Sequence, residues 1–421
     1  MRLVGCWNRS LPSLLCLCAA LIGWALPVRA VIGTHDNVPA ATLLLPYFEV
    51  DLDNPNGQTT MVYLTNASAT AALSNVTLWS TEGVSLLSFN VYLVGYDMQA
   101  ISLRDVLAGT LPRTASAGQD PTDTISPRGV LSQDINVATC TGILPPAPLS
   151  TAEIADLRAG LTGQPMPGQG GLCASANAGD SVARGFLTID AVSACHAADP
   201  DEAGYATRLS QQNILFGEYS LSHPAQNLAA GDALVAIEAA NAPPLNVAGN
   251  YTFYGAYNNG SAADRREPLA VRWAQSRVTE SPTPDARMLV WRDTKRIVNP
   301  FNCGSGAAAL RLQAGAVIDQ DAVGNQQPTA TAGFVAPQAT QSLRLALGSG
   351  AGTLIEVSSK TGWLEFHLNH ALPSGNLFGA SAQSYPVAAM GSHSGAQGRF
   401  RVATPPVQLE VVTQPPTGAA P

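Results

Sequence analysis

The stretch TLLLPYFEVDLDNPNGQTTMVYLTN (Thr42–Asn66) sets two strand-like runs on either side of a turn. Thr42–Val50 is apolar and aromatic almost throughout. Asp51–Gly57 (DLDNPNG) gathers Asp, Asn, Pro and Gly, which favour chain reversal through local hydrogen bonds, a preset φ or access to left-handed backbone. Thr59–Asn66 then alternates, with Met61 and Tyr63 opposite Val62 and Leu64. Successive side chains of a strand point to opposite faces, so this two-residue period reads as β.

The same rhythm continues outward. Asn75–Ser80 follows, and Leu86–Leu93 puts Leu87, Phe89, Val91 and Leu93 on one face. Met98–Leu103 leads into a possible helical turn at Arg104–Ala108. Further strands are expected at Gly185–Val192, Asn213–Ser222, Ala233–Ala240, Tyr251–Tyr257 and Arg287–Arg292. The last third adds Leu310–Asp319, Leu343–Leu347, Leu354–Ser358, Trp363–Leu368 and Phe400–Ala403. Short strands at this spacing point to a mostly-β chain of two β-sandwich domains, 31–285 and 286–405, with a disordered tail at 406–421.

Residues 112–183 break the pattern with Pro, Gly, Ser, Thr and Asp, and read as a loop-rich insertion. One short helix is legible within it. Ser150-Thr-Ala-Glu153 is a capping box, flanked by Leu149 and Ile154 at the positions of a hydrophobic staple. Gly160 or Gly163 should end that helix.

The first thirty residues have the layout of a secretory signal. Arg2 and Arg9 precede an apolar run at Leu11–Leu26, and small residues stand before a cut after Ala30. Cys16 and Cys18 follow Leu15 and Leu17, where a lipoprotein signal needs a small residue. No later run reaches the ~20 apolar residues of a membrane helix, so no membrane span is expected after cleavage.

The formal charge of the chain is -8. Only Lys295 and Lys360 among the 22 basic residues are lysine, a bias typical of GC-rich bacterial coding. An acidic chain with scattered Arg lacks the clustered positive charge that nucleic acid requires. Beyond the signal stand Cys140, Cys173, Cys195 and Cys303. An even count in an exported chain suggests two disulfides. Three pairings are open. Cys140–Cys173 with Cys195–Cys303 is expected, because the first two bracket one local segment. No CxxC spacing supports a metal site.

Several segments together resemble a group of secreted bacterial proteins without established activity: LLLPYFEVD (43–51), TNASA (65–69), VTLW (76–79), VYLVGYD (91–97), SLRD (102–105), NILFGEY (213–219), PFNCG (300–304) and GWLEFHLN (362–369). The resemblance implies an immunoglobulin-like sandwich and export to the periplasm or beyond, and brings no catalytic residue with it. Fold alone does not assign function.

The templates of secreted hydrolases each lack a part. G-x-S-x-G is absent, because His393 holds the centre of Gly391–Gly395, and H-E-x-x-H is absent. Gly348–Gly352 has no phosphate-loop Lys. The candidate metal ligands are Asp51, Asp53 and Asn56 in a calcium-like loop, and Glu365, His367 and His370. In the loop, Gly57 comes one place late and Pro55 takes a ligand position. In the second group alternation accounts for every residue, with Glu365 and His367 on a solvent face. Asp319–Asp321 and Asp199–Glu202 are weaker acidic loops. Glu49, Asp51, Glu82, Asp97, Asp105, Glu218 and Glu238 could in principle supply a carboxylate pair, and for Glu49 strand-end solvation is the simpler expectation. Tyr251, Phe253, Tyr254 and Tyr257 could form an aromatic ligand platform, or pack in a core. The favoured function is a non-enzymatic envelope or extracellular protein, structural or adhesive, without cofactor, meeting an envelope or extracellular partner. The alternative is a secreted hydrolase acting on polysaccharide or peptide.

Overall fold

The computed structural model describes residues 37–113, 138–196 and 198–240 (with breaks at 201, 203 and 225–227), then 252–254, 263–269, 272–278, 287–292 and 299–304. Between 316 and 410 it describes backbone strands. Residues 1–36 (where the sequence leads one to expect a signal segment), Tyr251, Tyr257, His370 and the last eleven residues lie outside the described residues.

In chain order the elements are β1 (Thr42–Asp51), β2 (Thr59–Asn66), β3 (Ala72–Ser80), β4 (Ser85–Leu93), β5 (Met98–Ser102), α1 (Leu103–Leu107), α2 (Thr151–Thr162), β6 (Leu172–Cys173), β7 (Val182–Val192), α3 (Tyr205–Arg208), β8 (Leu215–His223), β9 (Leu228–Ala233), β10 (Val235–Ile237), β11 (Arg272–Val278), β12 (Arg287–Arg292) and β13 (Phe301–Asn302). The chain is mostly β, in several antiparallel sheets. One sheet runs β10-β1-β7-β3-β4 and another β5-β2-β8-β9. Strand Thr361–His367 lies between β11 and Ala316–Asp321, while β12 lies between Thr340–Leu347 and Ser384–Ala389.

The five-stranded sheet is covered on both faces, which explains why β1 reads as a continuous apolar run. One face shares a core with the four-stranded sheet: Leu43, Leu45, Phe48 and Val50 of β1 meet Val62, Leu64, Ile101, Leu215 and Tyr219. The other face carries Leu44, Tyr47, Trp79 and Phe186, packed with Phe253, Tyr254, Trp273 and Trp291. Trp79 stacks on Phe186 with centroids 5.5 Å apart, and Trp291 meets Phe186 edge-on at 6.0 Å. Each buried large side chain contributes ~1.5–3 kcal/mol.

Residue parity along β1 changes at Pro46. The β1–β7 register shifts between Leu45 and Phe48. Proline has no N–H for the ladder, so it is tolerated at a bulge. The extra residue moves the inward face from odd positions (Leu43, Leu45) to even ones (Phe48, Val50). Where β7 crosses beneath, Gly185 leaves the needed room: a Cβ there would stand 2.0 Å from the Trp79 carbonyl oxygen.

Helix α2 begins and ends as its residues dictate. The Ser150 side chain accepts from Glu153 N–H and the Glu153 carboxylate accepts from Ser150 N–H. Gly163 closes it at φ 72°, a left-handed conformation that costs glycine little. The helix packs Leu157 and Leu161 into the core between the two sheets.

The disulfides are Cys140–Cys195 and Cys173–Cys303, with Cα separations of 4.9 and 5.1 Å. This corrects the local pairing expected from the sequence. β6 pairs with β13, Phe301 opposite Cys173, and that ladder carries Cys303 to Cys173 across 130 residues. The two closed loops overlap along the chain, and each restricts the unfolded ensemble by on the order of 4–5 kcal/mol in chain-entropy terms.

Candidate functional site

A closed polar network lies at the centre of the molecule. Asp190, on β7, and Arg266 are both fully buried, with Arg266 Nε 3.7 Å from Asp190 Oδ1. The Thr42 hydroxyl donates to that same carboxylate oxygen. Tyr205 and Tyr254 both donate to Asp190 Oδ2, the latter at 2.8 Å. Arg266 donates to Thr42 Oγ1 (2.7 Å), Gln211 Oε1 (3.1 Å) and the carbonyls of Ala41, Ala191 and Ser210. Burial pushes the Asp190 carboxyl up, against the pull of Arg266 and three hydroxyls. Burial likewise raises both tyrosines, with the Asp190 charge adding to it. Every polar arm of the ion pair ends on protein, so the arrangement suits locking β1, β7, α3 and the 263–269 segment together.

A second buried carboxylate, Glu49, is 3 % exposed. Tyr47 donates to its Oε1, and Arg184 Nε lies 3.6 Å from the same atom. Arg184 also grips Asp180 through two bonds of 2.7 Å. Burial works against the Arg184 charge, but Asp180, Tyr47 and Glu49 outweigh it and the guanidinium holds its proton more tightly. Strand-end solvation therefore does not describe Glu49. It belongs to a polar chain that runs by a hydrogen bond from Tyr47 and an ion pair with Arg184 out to Asp180 at the surface.

The calcium-like loop is held by a guanidinium. Arg104 donates to the carbonyls of Asp51 (2.7 Å), Asn54 (3.2 Å), Gly57 (3.4 Å) and Gln58 (2.9 Å). Asp51 Oδ1 accepts the N–H groups of Asp53 and Asn54, and Asn54 Oδ1 accepts that of Asn56. Asp51 Oδ1 and the loop carbonyls are thus engaged by backbone donors and by Arg104.

The other sequence candidates are dispersed. Glu365 and His367 occupy alternate register positions in Thr361–His367, opposite Ala274 and Arg272 of β11. Phe253 and Tyr254 are buried, in a turn rather than the expected strand, with their rings in the core that covers the five-stranded sheet. Among the described residues no group of three or more His, Cys, Asp or Glu side chains has metal-holding geometry. Glu238 comes opposite Glu267, since Ala239 bridges Arg266 and Glu267 N–H donates to Glu238 O at 2.9 Å. Burial and the Glu238 charge raise the Glu267 carboxyl to about 7.

His196 is buried next to Cys195, its ring edge-on to Tyr205. Neither ring nitrogen has a well-aligned hydrogen bond among the described residues. Burial, then the Arg208 charge, lowers it to about 4, with the Ala198 backbone pulling the other way.

On the surface, Tyr96 is 71 % and Met98 61 % exposed. Tyr96 has φ 59°, the left-handed region that bulky side chains avoid. Asn66 and its neighbours hold it there. Asn66 Nδ2 donates to Thr70 O (2.6 Å) and Val94 O (2.9 Å), Asn66 N–H donates to Asp97 O (2.9 Å), and Tyr96 N–H donates to Ser68 O (2.9 Å). The segments TNASA and VGYD thus form one interlocked corner where the chain passes from β4 to β5, from one sheet to the other. The left-handed tyrosine carries no signal in the sequence.

Compared with known proteins, the chain matches no family model, no curated protein and no solved structure.

Proposed function

We propose that the chain is an exported, non-enzymatic protein of the cell envelope or extracellular space, secreted or periplasmic, with a binding or structural role. The observation that carries this reading is Tyr96: a fully presented aromatic ring on strained backbone that a buried Asn66 network holds in place. Non-glycine residues in this conformation persist only where their surroundings enforce them, and they cluster at functional positions. A rigid, exposed tyrosine with Met98 beside it makes an anchor that loses little conformational entropy on contact. Two disulfides support an oxidising compartment. Division into two immunoglobulin-like domains, 31–285 and 286–405, belongs to the same proposal.

The test is capture of partners from the native envelope with the wild-type chain and with Tyr96→Gly. Glycine accepts φ 59°, so the variant removes the ring without straining the corner. Loss of capture by a folded variant supports the reading, and unchanged capture contradicts it.

The Glu238–Glu267 pair favours a second reading, a secreted hydrolase. One carboxyl held up near 7 beside another carboxylate has the poise of an acid–base couple. Polysaccharide or peptide cleavage abolished by Glu267→Gln would establish it in place of the first.

A further inference from the structure

The two disulfides differ in how they meet solvent. Cys140 and Cys195 are both buried, whereas Cys173 is buried and its partner Cys303 is exposed. Strand β6 has its own support: Met166 N–H donates to Leu172 O (2.8 Å), and Gly171 N–H donates to Met166 O (2.9 Å). Residues 301–303 dock onto this turn from outside. Phe301 pairs with Cys173 and Asn302 with Leu172. The Phe301 side chain covers the small apolar cluster of Val84, Met166 and Ala174. A two-residue ladder, one half-buried ring and one disulfide with an exposed half make this a small contact beside the large sheets.

We propose that Cys173–Cys303 is a reducible latch, opened in the folded protein by a dithiol reductant, which releases the 301–304 segment and uncovers the Val84, Met166 and Ala174 cluster while Cys140–Cys195 stays closed. A reductant thiolate attacks Sγ of Cys303, the exposed residue of the bridge. A bond forms between the two sulfurs, the Cys173–Cys303 bond breaks, and its electron pair leaves on Cys173 Sγ, which takes up a proton. The second reductant thiol then attacks its own sulfur in the mixed disulfide and expels Cys303 as a thiolate, which is protonated in turn. The dithiol ends as a disulfide and the protein as two thiols, two electrons and two protons having passed between them. Attack depends on access to the sulfur, which separates the two bridges.

The purified, oxidised full chain is treated with dithiothreitol without denaturant, quenched with iodoacetamide at intervals and mapped by peptide mass. Cys173 and Cys303 should be alkylated ~10-fold or more ahead of Cys140 and Cys195. The sheet circular dichroism should persist, and hydrogen exchange should rise at 164–175 and 299–304. Equal rates, earlier labelling of Cys140 and Cys195, or loss of the sheet signal in step with Cys303 labelling would overturn the proposal. The C173S/C303S double variant should keep its sheets and bind a hydrophobic dye more than wild type. A variant that fails to fold, or folds without increased dye binding, also contradicts it.

Discussion

Arg266 Nε stands 3.7 Å from Asp190 Oδ1 with both side chains fully removed from solvent. Removing one member of such a pair strands the other charge in the core. Asp190→Ala should cost about 3–5 kcal/mol in denaturant unfolding. The paired replacement Asp190→Leu with Arg266→Met should recover a large part of that loss. A single variant as stable as wild type would show that the pair does not hold β7 to the 263–269 segment.

The Arg104 latch makes a separate prediction. Arg104→Ala removes the guanidinium from the carbonyls of Asp51 and Gln58, of which Gln58 keeps the Asp51 N–H, and should lower stability by about 1–3 kcal/mol. Millimolar calcium should leave the wild-type melting temperature unchanged, because Asp51 Oδ1 already accepts two backbone N–H groups and Arg104 occupies the loop carbonyls. A calcium-dependent rise would restore the metal reading of Asp51, Asp53 and Asn56.

His196 couples stability to acid. It is neutral in the folded chain down to about 4, against 6.5 for a free histidine. The unfolded chain therefore binds the extra proton first as pH falls, and stability is lost from about 6.5 toward 4. The loss from this group should be about 1–3 kcal/mol. His196→Gln should flatten that part of the stability–pH curve, measured by urea midpoint. An unchanged slope would place the histidine's proton elsewhere.

Glu267 acts in the opposite direction. Its folded carboxyl is raised from 4.5 to about 7, so the folded state favours the protonated form. Its contribution is fully present below pH 4.5 and lost as pH rises through about 7. Glu267→Gln should be more stable than wild type by about 1 kcal/mol at pH 8 and equal to it at pH 4. Equal stability at pH 8 would mean that Glu238 does not press on it.

Much of this fold can be read from local pattern, and its locks cannot. Thr59–Asn66 forms a strand with the bounds that alternation sets, and Ser150 and Glu153 make the capping box that their spacing suggests. These features are written within a few residues. Arg266 looks like one more surface arginine in DRREP, because its partners Thr42 and Asp190 lie 224 and 76 positions away. The only sequence signal for the network was a carboxylate, Asp190, inside an otherwise apolar run. The disulfide pairing failed to emerge for the same reason: the β6–β13 ladder, not chain proximity, brings Cys173 to Cys303. The Pro46 bulge is intermediate. Proline marks the place, but the switch of facing from Leu45 to Phe48 needs the register with β7. Three of the short motifs quoted from the sequence fall on such locks: SLRD supplies Arg104, TNASA supplies Asn66, and PFNCG supplies Cys303.

The most direct measurement is made on the protein isolated from its own cells, fractionated into cytosol, envelope and medium, with its first residue and its free thiols determined together. An envelope or medium form starting after Ala30, with Cys140 joined to Cys195, Cys173 joined to Cys303 and no free thiol in the untreated chain, is the expected result. A cytosolic chain that still begins at Met1 and titrates with all its cysteines reduced would contradict the account.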